Sequence, residues 1–168
     1  VTITGAVTNT DNPVFCWPFT TASFNMSGGT INVSLPTASG TAINGGILIA
    51  STAYSITGGT WNINIPASAR NFNINSSVPF WDMNVRKAGA GAGAMTIGDQ
   101  QMNHTSLGSP VTYTAKPLVV LNDLTLINGA TSPTFDASIN NTTDQNVTVG
   151  GHFNVQKGGT YTPGNNTT

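Results

Sequence analysis

The 168 residues contain no glutamate, six aspartates and five lysines or arginines, so charged residues make up only 7% of the chain. An ordinary soluble domain carries roughly a quarter. With a net charge of -1 and no cluster of basic residues, the sequence lacks what phosphate backbones require, and nucleic acid is not an expected partner. Cys16 stands alone, which excludes an internal disulfide and a thiolate metal cluster. No apolar run reaches the length of a membrane-spanning helix. Helical periodicity and capping boxes are missing throughout. The start, Val1-Thr-Ile-Thr, has neither the basic nor the apolar region of a signal peptide.

What is present is a repeat. Phe24-Asn-Met-Ser-Gly-Gly-Thr-Ile-Asn-Val-Ser-Leu-Pro36 aligns without a gap to Tyr54-Ser-Ile-Thr-Gly-Gly-Thr-Trp-Asn-Ile-Asn-Ile-Pro66, thirty residues on. Each copy reads as a short strand, a Gly-Gly-Thr corner and a second strand ended by proline. Ile31, Val33 and Leu35 alternate with Asn32 and Ser34, as Trp61, Ile63 and Ile65 do with Asn62 and Asn64. A period of two puts one apolar row on one face and a polar row on the other. Hydrophobic residues at 38%, placed in this order, bury enough surface to fold a single domain.

A unit recurring every thirty residues is the mark of a stacked array. The spacing predicts an all-β chain, a right-handed parallel β-solenoid (β-helix) of about five to six coils. With a 29–30-residue repeat and strands stacked about 4.8 Å apart, it would stand about 25–30 Å tall. A β-sandwich uses the same alternation but gives no reason for a fixed register. Repeats are expected near residues 24–36, 54–66, 80–87, 118–131 and 147–162 of a single segment spanning 1–168. Met83 and Val85 follow Tyr54 and Ile56 by twenty-nine residues, and Phe153 and Val155 follow Leu124 and Leu126 by the same interval. The step from Val85 to Leu126 is longer, so an insertion is expected at about 88–117, containing the Ala88-Gly-Ala-Gly-Ala-Gly-Ala94 run. Gly46–Ala50 reads as a buried return strand, and 71–75 as an alternating strand with Phe72 and Ile74 inward. Pro13-Val-Phe-Cys-Trp-Pro18 reads as a loop plugging an end of the core. Strand-like sequence at the start and an unclosed 165–168 are expected of a piece of a longer chain.

Chemistry is thinly supplied. Hydrolysis or lysis of a polysaccharide needs two or three converging acids, or an acid and a base. The aspartates fall at no matching positions of consecutive repeats; Asp123 and Asp136, the nearest to a shared coil, read as solvent-facing or turn residues. His104 and His152 have no ligand spacing around them, so no metal or cofactor is expected. The Ala-Gly run lacks the Gly-Lys-Ser/Thr of a phosphate loop, and Gly-Gly-Thr lacks the aspartates of a calcium-binding β-roll. Thr30, Thr60 and Thr160 recur after glycines, but one threonine per coil at a corner reads as a turn residue rather than an ice-binding ladder. Of three tryptophans able to stack on sugar rings, Trp61 replaces Ile31 in the repeat and reads as core. Trp81 is left as the candidate glycan contact.

Phe80-Trp-Asp-Met-Asn-Val85, Leu121-Asn-Asp-Leu-Thr-Leu126, Val147-Thr-Val-Gly-Gly-His-Phe-Asn-Val155 and Gly158-Gly-Thr-Tyr-Thr-Pro-Gly-Asn165 resemble repeats of very large Bacteroidetes surface proteins. The resemblance covers residues 72–168, and 1–70 by repeat style. It implies strings of β-solenoid and adhesin-like modules exported by the type IX secretion system, some serving as gliding adhesins. It also implies an extracellular or outer cell-surface location, partners among neighbouring repeats of the same chain, surface glycans or secretion components, and no catalytic residues. The C-terminal sorting domain of that route is not among these residues. A non-enzymatic segment that extends, spaces and presents is therefore expected, with a carbohydrate-active or carbohydrate-binding β-helix as the rival.

Overall fold

A computed structural model describes residues 2–4, 13–34, 46–65, 71–87, 94–102, 111–127, 134–136, 145–156 and 158–162. Among them there are strands and no helix. Six strands form one sheet: β1 (Thr2–Thr4), β3 (Ser23–Ser34), β5 (Ala53–Ile65), β7 (Asp82–Lys87), β12 (Leu124–Leu126) and β15 (Phe153–Val155), in that order. Six more form a second: β2 (Phe15–Trp17), β4 (Gly46–Ile49), β6 (Phe72–Ser76), β8 (Met95–Ile97), β13 (Thr134–Asp136) and β16 (Thr160–Thr162). Every pairing within either sheet is parallel. The chain thus alternates between the sheets, laying each new strand beside the last one placed there. A third row of parallel pairing joins β11 (Leu118–Val120) to β14 (Val147–Val149), with Phe80 bridging to Val120. An antiparallel meander or sandwich does not account for these pairings.

The inward residues stack in register. Ile31, Trp61, Met83, Leu124 and Phe153 form one column, and Val33, Ile63, Val85, Leu126 and Val155 the next. Met26 faces Ile56 in the same way. The members of these columns up to Leu124 and Leu126 make one apolar cluster with Ile47, Ile49, Phe72, Ile74 and Met95 from the second sheet. Trp61, 1% exposed, sits at its aromatic centre, edge-on to Phe15 at 5.1 Å and to Phe80 at 5.2 Å. Edge-to-face contact at this range adds to the value of burial.

The thirty-residue step holds where the repeat is explicit and not beyond it. Trp61 lies opposite Met83, twenty-two residues on, so Met83 and Val85 are the counterparts of Trp61 and Ile63, not of Tyr54 and Ile56. This step is eight residues shorter than thirty: three are missing between Trp61 and Asn73 compared with Ile31 and Gly46, and five between Asn73 and Asp82 compared with Gly46 and Thr60. Leu124 then lies opposite Met83, forty-one residues on, and twenty-nine before Phe153.

Two further expectations change. The repeat was expected to break into two strands at Gly-Gly-Thr, yet β3 and β5 each run through it as one strand, with register shifts between Met26 and Thr30. Gly59 adopts φ +108°, and a Cβ on Gly58 would lie 2.7 Å from the Ser27 carbonyl oxygen, so stacked glycines let the two bends nest. Pro13–Pro18 is not a plug: Phe15–Trp17 is strand β2, paired with β4.

Finally, Asn73 and Asn75, on the polar face opposite Phe72 and Ile74, are buried as well. In the long interval, after β8, the chain forms an antiparallel pair, β9 (Gln100–Met102) and β10 (Val111–Tyr113), that lies over the outer face of the second sheet. Asn75 Nδ2 donates to the Tyr113 carbonyl at 2.8 Å, Gln100 Nε2 to the Asn73 carbonyl at 2.8 Å, and Thr96 Oγ1 to Asn73 Oδ1. The cover supplies partners for the Asn75 amide and the Asn73 carbonyl, and Thr96 on β8 supplies one for the Asn73 side chain, as buried polar groups require.

Lys87 occupies an inward position opposite Ile65 and is 6% exposed. Burial holds its ammonium below the ordinary 10.5. The unfolded chain therefore binds this proton more readily, and the burial cost, present at neutral pH, fades as pH rises from the folded pKa toward 10.5. Lys87→Met is expected to raise stability by about 1 kcal/mol at pH 7. In urea titrations the gain should shrink as pH approaches 10.5.

Candidate functional site

β9 and β10 cover the outer face of the second sheet at β6, while the outer face of the first sheet is open along β5 and β7. Residues between the inward columns point outward there: Thr60, Asn62 and Asn64 on β5, then Asp82, Asn84 and Arg86 on β7. Three outer columns result. Asn32, Asn62, Asn84, Thr125 and Asn154 form the middle one. Asn84 Nδ2 donates to Asn62 Oδ1 at 3.0 Å, and Asn62 Nδ2 to Asn32 Oδ1 at 2.7 Å, giving an amide ladder that runs in one direction. Beside it, Asn64 Nδ2 donates to Ser34 Oγ at 3.0 Å, and Arg86 continues that column. Asn32, Asn62, Asn64, Asn84, Arg86 and Ile127 line an open groove of about 190 Å3. Arg86 is exposed, and among the described residues it has no ion-pair partner.

The third column brings two acids to neighbouring rungs. Asp82 lies beside Asp123, and Asp123 beside His152. Asp82 Oδ1 accepts from Asn122 Nδ2 at 2.7 Å and from the Asp123 backbone N–H at 3.2 Å. Asp123 Oδ1 accepts from the His152 backbone N–H at 2.8 Å and lies 3.1 Å from His152 Nδ1. These hydrogen bonds, the backbone one first, hold the Asp123 carboxyl below its usual range. A general acid needs the opposite shift. The two carboxylates act as anchors for neighbouring rungs.

The remaining residues singled out in the sequence do not converge. Trp81 is half-buried and packed against the core, apart from the groove. Asp136 belongs to β13 in the second sheet, away from Asp123. Thr30 faces Thr60, but the next rung carries Asp82, and Thr160 lies in the second sheet opposite Thr134. His104 and residues 88–93 of the Ala-Gly run lie outside the described residues. Among those described, no group of three His, Cys or acidic residues is close enough to hold a metal ion. Cys16 Sγ lies 3.2 Å from Met102 Sδ, and burial pushes its pKa up to about 11. Sequence reading sought an aromatic or acidic site and passed over the asparagines, whose alternation was the available signal.

Two outcomes are expected. Asn62→Ala removes a donor and an acceptor from the ladder and should cost about 1–2 kcal/mol in urea unfolding, since water reaches the groove and limits the penalty. The Cys16 thiol, almost wholly protonated at pH 7.5, should react with a thiol reagent far more slowly in the folded chain than in urea.

Set against protein-family models, curated proteins and solved structures, the chain finds no match in any of the three.

Proposed function

We propose that the chain is a right-handed parallel β-solenoid of six turns serving as a non-enzymatic structural and adhesive segment of a large cell-surface or secreted protein. Its role is to extend and to present binding regions. Strict alternation between two parallel sheets, with a third row of pairing at Phe80, β11 and β14, supports the solenoid. The observation that carries the function is the last rung. Phe153 and Val155 continue columns whose members Leu124 and Leu126 are fully buried, yet they are 38% and 45% exposed. Tyr161 meets Phe153 edge-on at 5.0 Å, so the rung presents an apolar stacking surface, and among the described residues no strand pairs beyond β15.

The natural partners in this reading are neighbouring repeats of the same long chain, together with surface glycans or outer-membrane and secretion components. Export by type IX secretion, an outer cell-surface location and a part in gliding belong to the same proposal, resting on the sequence resemblance.

The isolated 168-residue chain is expected to self-associate through this end, because a net charge of -1 offers little repulsion. Sedimentation velocity across a concentration series should show reversible growth, and Phe153→Asp with Val155→Lys should abolish it. A wild-type chain that stays monomeric at about 1 mM would refute the stacking role.

A further inference from the structure

We propose that the amide groove on the outer face of the first sheet is a binding site for an acidic oligosaccharide, whose hydroxyls meet the asparagines and whose carboxylate meets Arg86. This rests on the adhesive part of the proposed function and names the glycan class, but it does not rest on end-to-end stacking: a chain that stacks nothing can still hold a glycan.

The chemistry comes from what the ladder leaves over. An asparagine amide offers two N–H donors and a carbonyl acceptor. The ladder uses one N–H each of Asn62 and Asn84, and the oxygens of Asn32 and Asn62. Asn64 uses one N–H on Ser34. Unused N–H groups and the Asn64 and Asn84 oxygens therefore lie side by side along the groove. Mixed donors and acceptors suit hydroxyl groups, which do both, better than they suit a purely anionic or purely apolar ligand. The amides repeat at the spacing of stacked strands, about 4.8 Å, comparable to the length of one pyranose unit in a chain. Because each amide is tied to its neighbour, the row is held in place before the ligand arrives.

Charge selects the acidic sugar. Arg86 is the cation in the groove, and its fork of donors matches a carboxylate. The acids of this face, Asp82 and Asp123, lie in the column on the other side of the ladder, and Asp82 is four residues from Arg86 along β7. That is about 13 Å at the rise of an extended strand. The strip is therefore polarised, with neutral amides between an acidic and a basic edge, and this fixes which side of the ligand carries its charge. Phosphate backbones are poorly served by one guanidinium. On the second sheet, β9 and β10 cover the outer side chains of β6.

The test is calorimetric titration of the intact chain with tetragalacturonate and with the same oligomer after its carboxyls are reduced to alcohols. Saturable binding of the acidic oligomer is expected, weaker by about tenfold for the reduced one. Arg86→Gln, a change at an exposed residue, should lose the same factor against the acidic oligomer and nothing further against the reduced one, as two halves of one contact must. No saturable binding of tetragalacturonate below about 10 mM overturns the proposal. So does equal affinity for the two oligomers, or an Arg86→Gln chain that binds as tightly as the parent. The oligomer comparison needs no variant, so the outcome does not hinge on how a substituted chain folds.

Discussion

Everything in this molecule depends on like residues standing above like residues. The described strands other than β3 and β5 are all three to six residues long, too short to be stable as hairpins or alone. They persist because inward side chains within the columns are covered above and below by those at the same position of their neighbours: Val33, Ile63, Val85 and Leu126 are all fully buried in one column. Burial of such a side chain is worth roughly 1.5–3 kcal/mol, and parallel pairing keeps the alignment from strand to strand. Register is therefore the central constraint. A slip of one residue would send Ile63 to solvent and Asn62 into the core.

The same constraint organises the polar residues. Once Trp61 and Ile63 are fixed inward, Asn62 has only the outer face to occupy, directly over Asn32 and under Asn84. Stacking converts an unremarkable alternation into a continuous amide row. The second sheet shows the alternative fate of such residues. Asn73 and Asn75 also alternate with apolar neighbours, but β9 and β10 close over them: Asn75 donates to the covering segment, the Asn73 side chain accepts from Thr96 on the next strand, and its backbone carbonyl accepts from Gln100. One excursion of the chain thus buries the outer side chains of β6, while those of β5 and β7 line an open groove.

How much of this could be read from the residues follows from the same logic. Where two copies of the repeat are nearly identical, alignment is equivalent to pairing, and Met26 with Ile56 or Ile31 with Trp61 is legible at once. Where the chain shortens a turn, counting misleads: an interval of twenty-nine points Met83 to Tyr54, while the structure sets it against Trp61. Phe15–Trp17 was hidden by its prolines, which bracket a strand at the sheet's edge, where missing donors are tolerated. The burial of Asn73 and Asn75 had no local signal, because the strands that cover them come from about thirty residues later in sequence. The groove was hidden for a related reason. Its asparagines are visible in the repeat, but Arg86 joins them only through the twenty-two-residue step.

The unequal steps carry a consequence for how such a chain changes over time. From Trp61 to Met83 takes twenty-two residues and from Met83 to Leu124 forty-one, yet both are single rungs. Contour length is thus uncoupled from height. Material gained or lost at a corner alters neither the alignment of the columns nor the position of the rungs that follow. The corners are permissive ground for insertion and deletion, while a strand cannot lose one residue without inverting its faces. Diversity in a lineage of this chain should therefore gather at the corners, where new surfaces arise without the core being rebuilt.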